Sequence, residues 1–173
     1  MDIVKQTIHT NYHGTSTITQ ALLPLIRSGG RLVNVSSMSG HLSKYSPTIR
    51  QQFISASNSS LSDVTSLMDS FIKSVSTGTE KKDGWPTAGY AVSKAGLTAA
   101  SKVLDKQELE KGSGVRVEVC CPGYVNTDMS KGNGTKTPDD GAKTPVMLGL
   151  KFLGSPEGKV LDGFWQHEKV VEW

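Results

Sequence analysis

Only two cysteines occur in these 173 residues, Cys120 and Cys121, and they are adjacent. Neighbours in a strand point to opposite faces, so a bond between them would be strained, and a disulfide framework is excluded. That usage favours a reducing compartment. Long apolar runs are also lacking. Spanning a bilayer takes about 20 such residues, and the nearest approach, Ala21-Leu22-Leu23-Pro24-Leu25-Ile26, is interrupted by Pro24. The start Met1-Asp2-Ile3-Val4-Lys5 lacks the basic end and apolar core of a signal peptide. These absences point to the cytoplasm, where the Asn-x-Ser/Thr triplets at Asn34, Asn58 and Asn133 are chance matches.

Charge of one sign is sparse as well. The net charge is +3 and the basic residues are scattered, which is no nucleic-acid footprint. The run Glu80-Lys81-Lys82-Asp83 is mixed in sign and reads as a solvated turn. No glycine-rich phosphate loop is present, because Gly29-Gly30, Gly112-x-Gly114 and Gly132-x-Gly134 lack its spacing. His9 and His13 stand one helical turn apart but have no acidic or third partner, so no metal site is expected. Ser37 is not set in a Gly-x-Ser-x-Gly elbow, which disfavours a hydrolase.

What remains is an ordinary globular composition, 36% hydrophobic and 20% charged, in a length that suits one domain. Ile3, Val4, Ile8, Tyr12, Thr15, Ile18, Leu22 and Leu25 recur at helical spacing, predicting one helix over 2–27 that ends at Ser28-Gly29-Gly30. Arg31–Ser36 reads as a buried strand, followed by a Ser-rich stretch to about 61 in which Pro47 can open a short helix. Val64, Leu67, Met68, Phe71, Ile72 and Val75 form a helical stripe, with Ser60 or Ser62 as cap. A loop over 78–86 leads to a long helix over about 88–110 and a strand over 115–121, which Pro122-Gly123 breaks. Thr137-Pro138-Asp139-Asp140 is a capped helix start, and a last strand is expected near Val160–Trp165. The alternation predicts an α/β fold with a parallel sheet.

Tyr90 and Lys94 lie one turn apart on the predicted long helix. A free phenol has a pKa of about 10, and a cation beside it favours the phenolate and lowers that value. Such a pair suits giving a proton to a carbonyl oxygen while a hydride reaches the carbon. Alone, Tyr-x-x-x-Lys is a spacing that chance supplies. Asn34-Val35-Ser36-Ser37 and Cys121-Pro122-Gly123, however, end the two strands at the carboxyl rim, where α/β folds place ligands.

Together with Asn11 in Thr10-Asn11-Tyr12-His13-Gly14, with Tyr90-Ala91-Val92-Ser93-Lys94 and with Pro122-Gly123-Tyr124-Val125-Asn126-Thr127, these motifs resemble the short-chain dehydrogenase/reductase family. The nearest likeness is to its monomeric NADPH-dependent carbonyl reductases. They share the long stretch from 38 to 89, Gly84-Trp85-Pro86 before the tyrosine, and the tail ending in Trp173. The resemblance implies the C-terminal portion of a Rossmann-like doubly wound parallel sheet. It would form a single partial domain over 1–173 with a helical insertion at 41–86. It also implies a catalytic set. Tyr90 would donate the proton, and Lys94 would lower its pKa and bond the nicotinamide ribose. Ser37 would hold the substrate carbonyl, and Asn11 would interrupt its helix and support a proton path to Lys94. Pro122, Gly123, Val125 and Thr127, with Tyr90 and Lys94, would contact the cofactor NADP(H), and Tyr124 and Met129 would lie over the substrate.

The family's glycine-rich fingerprint and several central strands precede the position that matches Met1. Two readings follow for these 173 residues. One is a carbonyl reductase shortened at its N-terminus, monomeric, acting on an aldehyde, ketone or quinone. The other is a non-catalytic scaffold that binds a partner through an exposed sheet edge at 31–36.

Overall fold

The computed structural model describes residues 2–150 and 163–173. The chain opens with helix α1 (Asp2–Ile8), passes through a π-helical segment (His9–Gly14) and continues as α2 (Thr15–Leu22) and a short 3-10 turn (Leu23–Leu25). Strand β1 (Arg31–Val35) is followed by α3 (Pro47–Ser57), α4 (Leu61–Thr77) and α5 (Gly89–Glu110). Then come β2 (Arg116–Cys121), α6 (Pro138–Leu150), β3 (Phe164–Gln166) and β4 (Lys169–Val171).

Most boundaries have local causes. Ser46 and Ser60 cap α3 and α4, their side chains accepting from Ile49 N and Asp63 N, and Pro47 fits the first turn of α3. Gly78 closes α4 in the left-handed conformation at φ 69°. The single helix expected over 2–27 is not continuous. Its apolar spacing holds, but the backbone widens to the π form across Asn11, and periodicity cannot report such a local change.

The sheet order is β1-β2-β3-β4. β1 pairs parallel with β2 (Val33 opposite Glu118), and β2 pairs parallel with β3. β4 departs from the all-parallel expectation. It returns antiparallel after a tight turn in which His167 and Glu168 take φ 53° and 59°, the positive values that match hairpin twist. Of the strand expected near Val160–Trp165, β3 covers Phe164 and Trp165, and 160–162 lie outside the described residues.

Helix α5 is the spine. Val92, Ala95, Ala99, Ala100 and Val103 pack with Tyr12 and with Phe53, Val64, Met68 and Phe71 of α3 and α4. Leu104 meets Val115, Val117 and Leu23 on the sheet side. The stripe on α4 is therefore core, each large side chain contributing about 1.5–3 kcal/mol by burial. α6 covers the opposite sheet face, with Leu148 against Cys120 and Trp165. The C-terminal Trp173 returns onto α3, its ring centroid 6.2 Å from that of Phe53.

Two buried ion pairs tie α5 and β1 to β2. Arg116 bonds Asp105 bidentately at 2.8 and 2.7 Å, and Asp105 also accepts from Val117 N. Arg31 meets Glu118 at 2.7 Å. Beyond β1 nothing pairs among the described residues. On the helical segments before β1 and on α6, Ile18 (61%), Leu25 (76%) and Leu150 (64%) are exposed.

Candidate active site

The site is built from four segments that meet at the carboxyl ends of β1 and β2. β1 ends at Val35, and Ser37 follows in extended backbone, its hydroxyl oxygen capping a short turn by accepting from Ser39 N at 3.1 Å. That cap uses an acceptor position and leaves the Ser37 O–H free to donate. Gly40 lets this turn press onto α5. A Cβ there would stand 2.5 Å from the Ala95 nitrogen. Ser36 locks the same contact, its hydroxyl donating to Lys94 O at 2.9 Å and pairing with Thr98 at 2.8 Å.

Tyr90 and Lys94 sit in the first turns of α5, as expected. The Tyr90 residue is 39% exposed, and Ser37 is near enough to its hydroxyl to influence its pKa. Burial nevertheless holds the Tyr90 pKa above its ordinary value; Ser37 works against that rise, and Cys121 adds to it. The sequence led us to expect a lowered phenol pKa with Lys94 as the cause, and the geometry explains the difference. The Lys94 ammonium lies 5.8 Å from the ring centroid and donates to Val35 O at 2.9 Å. Its own pKa is pushed down by burial. The two groups share a face, but a backbone carbonyl holds the cation.

Asn11 reaches the site indirectly. Its side-chain amide donates to Ser93 Oγ at 3.1 Å, and that hydroxyl donates to Tyr90 O at 2.7 Å. Widening the helix at 9–14 turns Asn11 towards the first turn of α5 and holds the Tyr90 backbone there. The sequence signal for Ser93 was its place three residues after Tyr90, on the same helical face.

Pro122, Gly123, Val125 and Thr127 form the turn that leaves β2. The Val125 side chain is folded onto α6, 2.5 Å from where a Cβ on Gly141 would stand. Val125 bridges to Lys136, and Thr127 caps the short turn Asp128–Ser130 while its N–H donates to Ser130 Oγ at 3.0 Å. Tyr124 and Met129 are exposed at this rim. The turn lies close to the other three segments because Cys121, its root, is near enough to influence both Tyr90 and Lys94. In the sequence, Cys121 bore only on the redox compartment and on the end of the strand, and nothing there placed it beside Tyr90 and Lys94.

His9 and His13 are neighbours with ring centroids 5.9 Å apart, and no group of three metal-ligating side chains occurs among the described residues. No helix among those residues is long and apolar enough to cross a membrane.

A family model for short chain dehydrogenases matches residues 70–138, the stretch carrying Tyr90, Lys94 and the Pro122–Thr127 turn. Carbonyl reductase (NADPH) 1 of Macaca fascicularis is 37% identical over 173 residues, which cover 96% of this chain and 61% of the relative. The Homo sapiens protein of the same name is 38% identical over 170 residues, with 96% and 60% covered. Among solved structures, salutaridine reductase from Papaver somniferum superposes with a TM-score of 0.82 at 27% identity, over 95% of this chain and 55% of that one. Menthone neomenthol reductase from Mentha piperita does so with 0.72 at 26% identity, over 96% and 51%. The chain thus spans about three fifths of the length of these carbonyl reductases. These likenesses, together with the α/β architecture, make the chain similar to the short-chain dehydrogenases and, among them, to the carbonyl reductases.

Proposed function

We propose that this chain carries the proton-donating and nicotinamide-facing part of an NADPH-dependent carbonyl reductase acting on an aldehyde, ketone or quinone. The observation that carries the reading is the meeting of three groups at one rim: Ser37 just past the end of β1, Lys94 donating to Val35 O at 2.9 Å, and the Tyr90 ring 5.8 Å from the Lys94 ammonium. The residues fit the nicotinamide end of the cofactor. Lys94 brings a partly desolvated ammonium to the end of β1. The Pro122–Thr127 turn offers backbone at Val125, whose side chain is held away on α6. Tyr90, Lys94, Pro122, Gly123, Val125 and Thr127 would hold the group, which when bound supplies the hydride that reduces the carbonyl carbon.

In this reading Ser37 donates to the substrate carbonyl and fixes its oxygen beside Tyr90. Tyr90 then gives its phenolic proton to that oxygen as negative charge develops there. The raised pKa of Tyr90 keeps the proton in place at neutral pH. After transfer the Lys94 cation on the same face stabilises the phenolate until a proton returns. Asn11 keeps the Tyr90 turn of α5 in register through Ser93. The preference for NADPH, a monomeric state, the cytoplasmic setting and the reading of 41–86 as an insertion follow from the likeness to the carbonyl reductases.

The test is direct. The purified chain is titrated with NADPH by fluorescence, and loss of NADPH absorbance is followed with a quinone or an aromatic aldehyde. Binding with substrate-dependent oxidation is expected. A folded sample that neither binds nor oxidises NADPH overturns the reading for this chain. One observation favours a second reading. β1 has no strand beyond it among the described residues, and Ile18, Leu22, Leu25, Val146 and Leu150 are exposed on the helical segments before it and on α6; such a surface suits a partner chain.

A further inference from the structure

The Pro122–Thr127 turn has little regular structure of its own, yet a nicotinamide contact requires its backbone to stay at a fixed height above the rim. One residue outside it, Lys136, bonds both its outer and its inner half. Lys136 N donates to Tyr124 O at 3.0 Å, and Asn126 N donates to Lys136 O at 2.8 Å. The same strand-like contact includes Thr135 N to Tyr124 O at 2.9 Å. These bonds fix the outer half of the turn.

The Lys136 side chain fixes the inner half. Its aliphatic part lies over Gly123, with Cδ and Cε 3.0 Å from where a Cβ would stand. Gly123 is at φ 89°, so glycine is required there twice over, for its conformation and for the room it leaves. The ammonium donates to Pro122 O at 3.4 Å and to His167 Nδ1 at 2.9 Å. Accepting at Nδ1 puts the imidazole proton on Nε2. His167 is in turn held by its hairpin, because Glu168 N donates to Thr144 Oγ1 on α6 at 3.1 Å. A long, rotamer-rich side chain is thus given a route and two acceptors between the turn and the β3–β4 hairpin.

We infer that Lys136, anchored on His167, is the positioning residue that sets the nicotinamide-contacting turn at its working height. The inference rests on the reductase reading of these residues. It assigns Lys136 no contact with substrate or cofactor; the residue acts through the backbone of 122–126.

Three variants of the full chain test this: Lys136→Met, which keeps the stem over Gly123 and removes the ammonium; Lys136→Arg, which restores a cation; and His167→Leu, which removes the anchor. Amide hydrogen exchange reads the turn without any turnover. In Lys136→Met and in His167→Leu alike, exchange at Asn126 and Thr135 should quicken by about tenfold while α5 amides stay unchanged. Lys136→Arg should restore protection. Kinetics read the consequence. The KM for NADPH should rise and the isotope effect with 4-deuterated NADPH should grow, because a misplaced ring slows hydride transfer by up to about 100-fold per ångström. A residue with a merely structural role would change the melting temperature and leave both readouts alone. Unchanged exchange in a folded Lys136→Met or His167→Leu overturns the inference, as does a normal KM with a normal isotope effect. If the wild-type chain does not oxidise NADPH, the reductase reading fails while the exchange result still decides whether Lys136 holds the turn.

Discussion

The rim at the ends of β1 and β2 and the outer edge of β1 lie on the same strand but are finished very differently. At the rim, polar groups are paired inside the chain: Ser36 with Lys94 O and Thr98, Asn11 with Ser93, Lys94 with Val35 O. At the edge, the strand has no partner among the described residues, and apolar side chains are exposed on the helical segments before it and on α6. The difference shows where the site's geometry comes from. α5, locked in the core by α3, α4 and the π-helical segment, carries Tyr90 and Lys94 and presses on the Ser37 turn. The rim can therefore keep its arrangement whatever covers the edge.

The strongest way to break that contrast is chemical. Tyr90→Phe removes the proton donor and leaves the packing of α5 almost untouched. Turnover of a quinone or aldehyde should fall by about 100- to 10,000-fold, with an unchanged circular dichroism spectrum. Retained turnover would remove Tyr90 from its role. The next largest effect is on the frame. Asp105 holds both nitrogens of the Arg116 fork and the Val117 amide, so Asp105→Asn should cost about 3–5 kcal/mol in urea unfolding. The remaining folded molecules should keep their turnover, since Asp105 is about four turns along α5 from Tyr90. A loss under about 1 kcal/mol would show that this pair does not tie α5 to β2.

The pH response sharpens the rim itself. Reduction needs the phenol protonated, and burial holds its pKa above the ordinary value. Turnover should then be flat through neutrality and fall only as pH rises through that raised value, above the ordinary range of about 10. The stability linked to Tyr90 has the same sign. It is fully present below the unfolded-state pKa and is lost as pH rises through the folded one. A turnover limb below about pH 8 that Tyr90→Phe abolishes would mean that Lys94 lowers the phenol pKa after all.

Much of this was readable from residue patterns. The stripe from Val64 to Val75 gave α4, Ser60 its start, and Pro122-Gly123 the end of β2, because burial, capping and turn chemistry are local properties. The candidate residues were readable as motifs, and the fold brings Ser37, Tyr90 and Lys94 to one rim. What the motifs did not contain was direction. Whether the Lys94 ammonium faces the phenol or a carbonyl depends on where β1 ends in space. The π-helical widening at Asn11 was hidden for the same reason, while the antiparallel return of β4 is a local hairpin whose turn residues, His167 and Glu168, carry none of the usual glycine or asparagine signal. Lys136 carried no signal because its role comes from the hairpin that places His167 beside it.

The smallest expected effect tests the edge. Ile18 and Leu25 are 61% and 76% exposed, so replacing both with lysine removes little internal packing. Unfolding free energy should change by no more than about 0.5 kcal/mol per site. Association should respond far more. Sedimentation velocity across a concentration series should show the wild-type chain shifting to larger species and the Ile18→Lys, Leu25→Lys variant remaining at the mass of one chain, because charge placed in an exposed apolar surface opposes its burial against another chain. A destabilisation well beyond that limit would mean that these side chains are packed within the chain, and the contrast between rim and edge would fail. Unchanged stability with suppressed association would instead place the edge's apolar surface outside the folding core, as a face whose energy is realised only when another segment covers it.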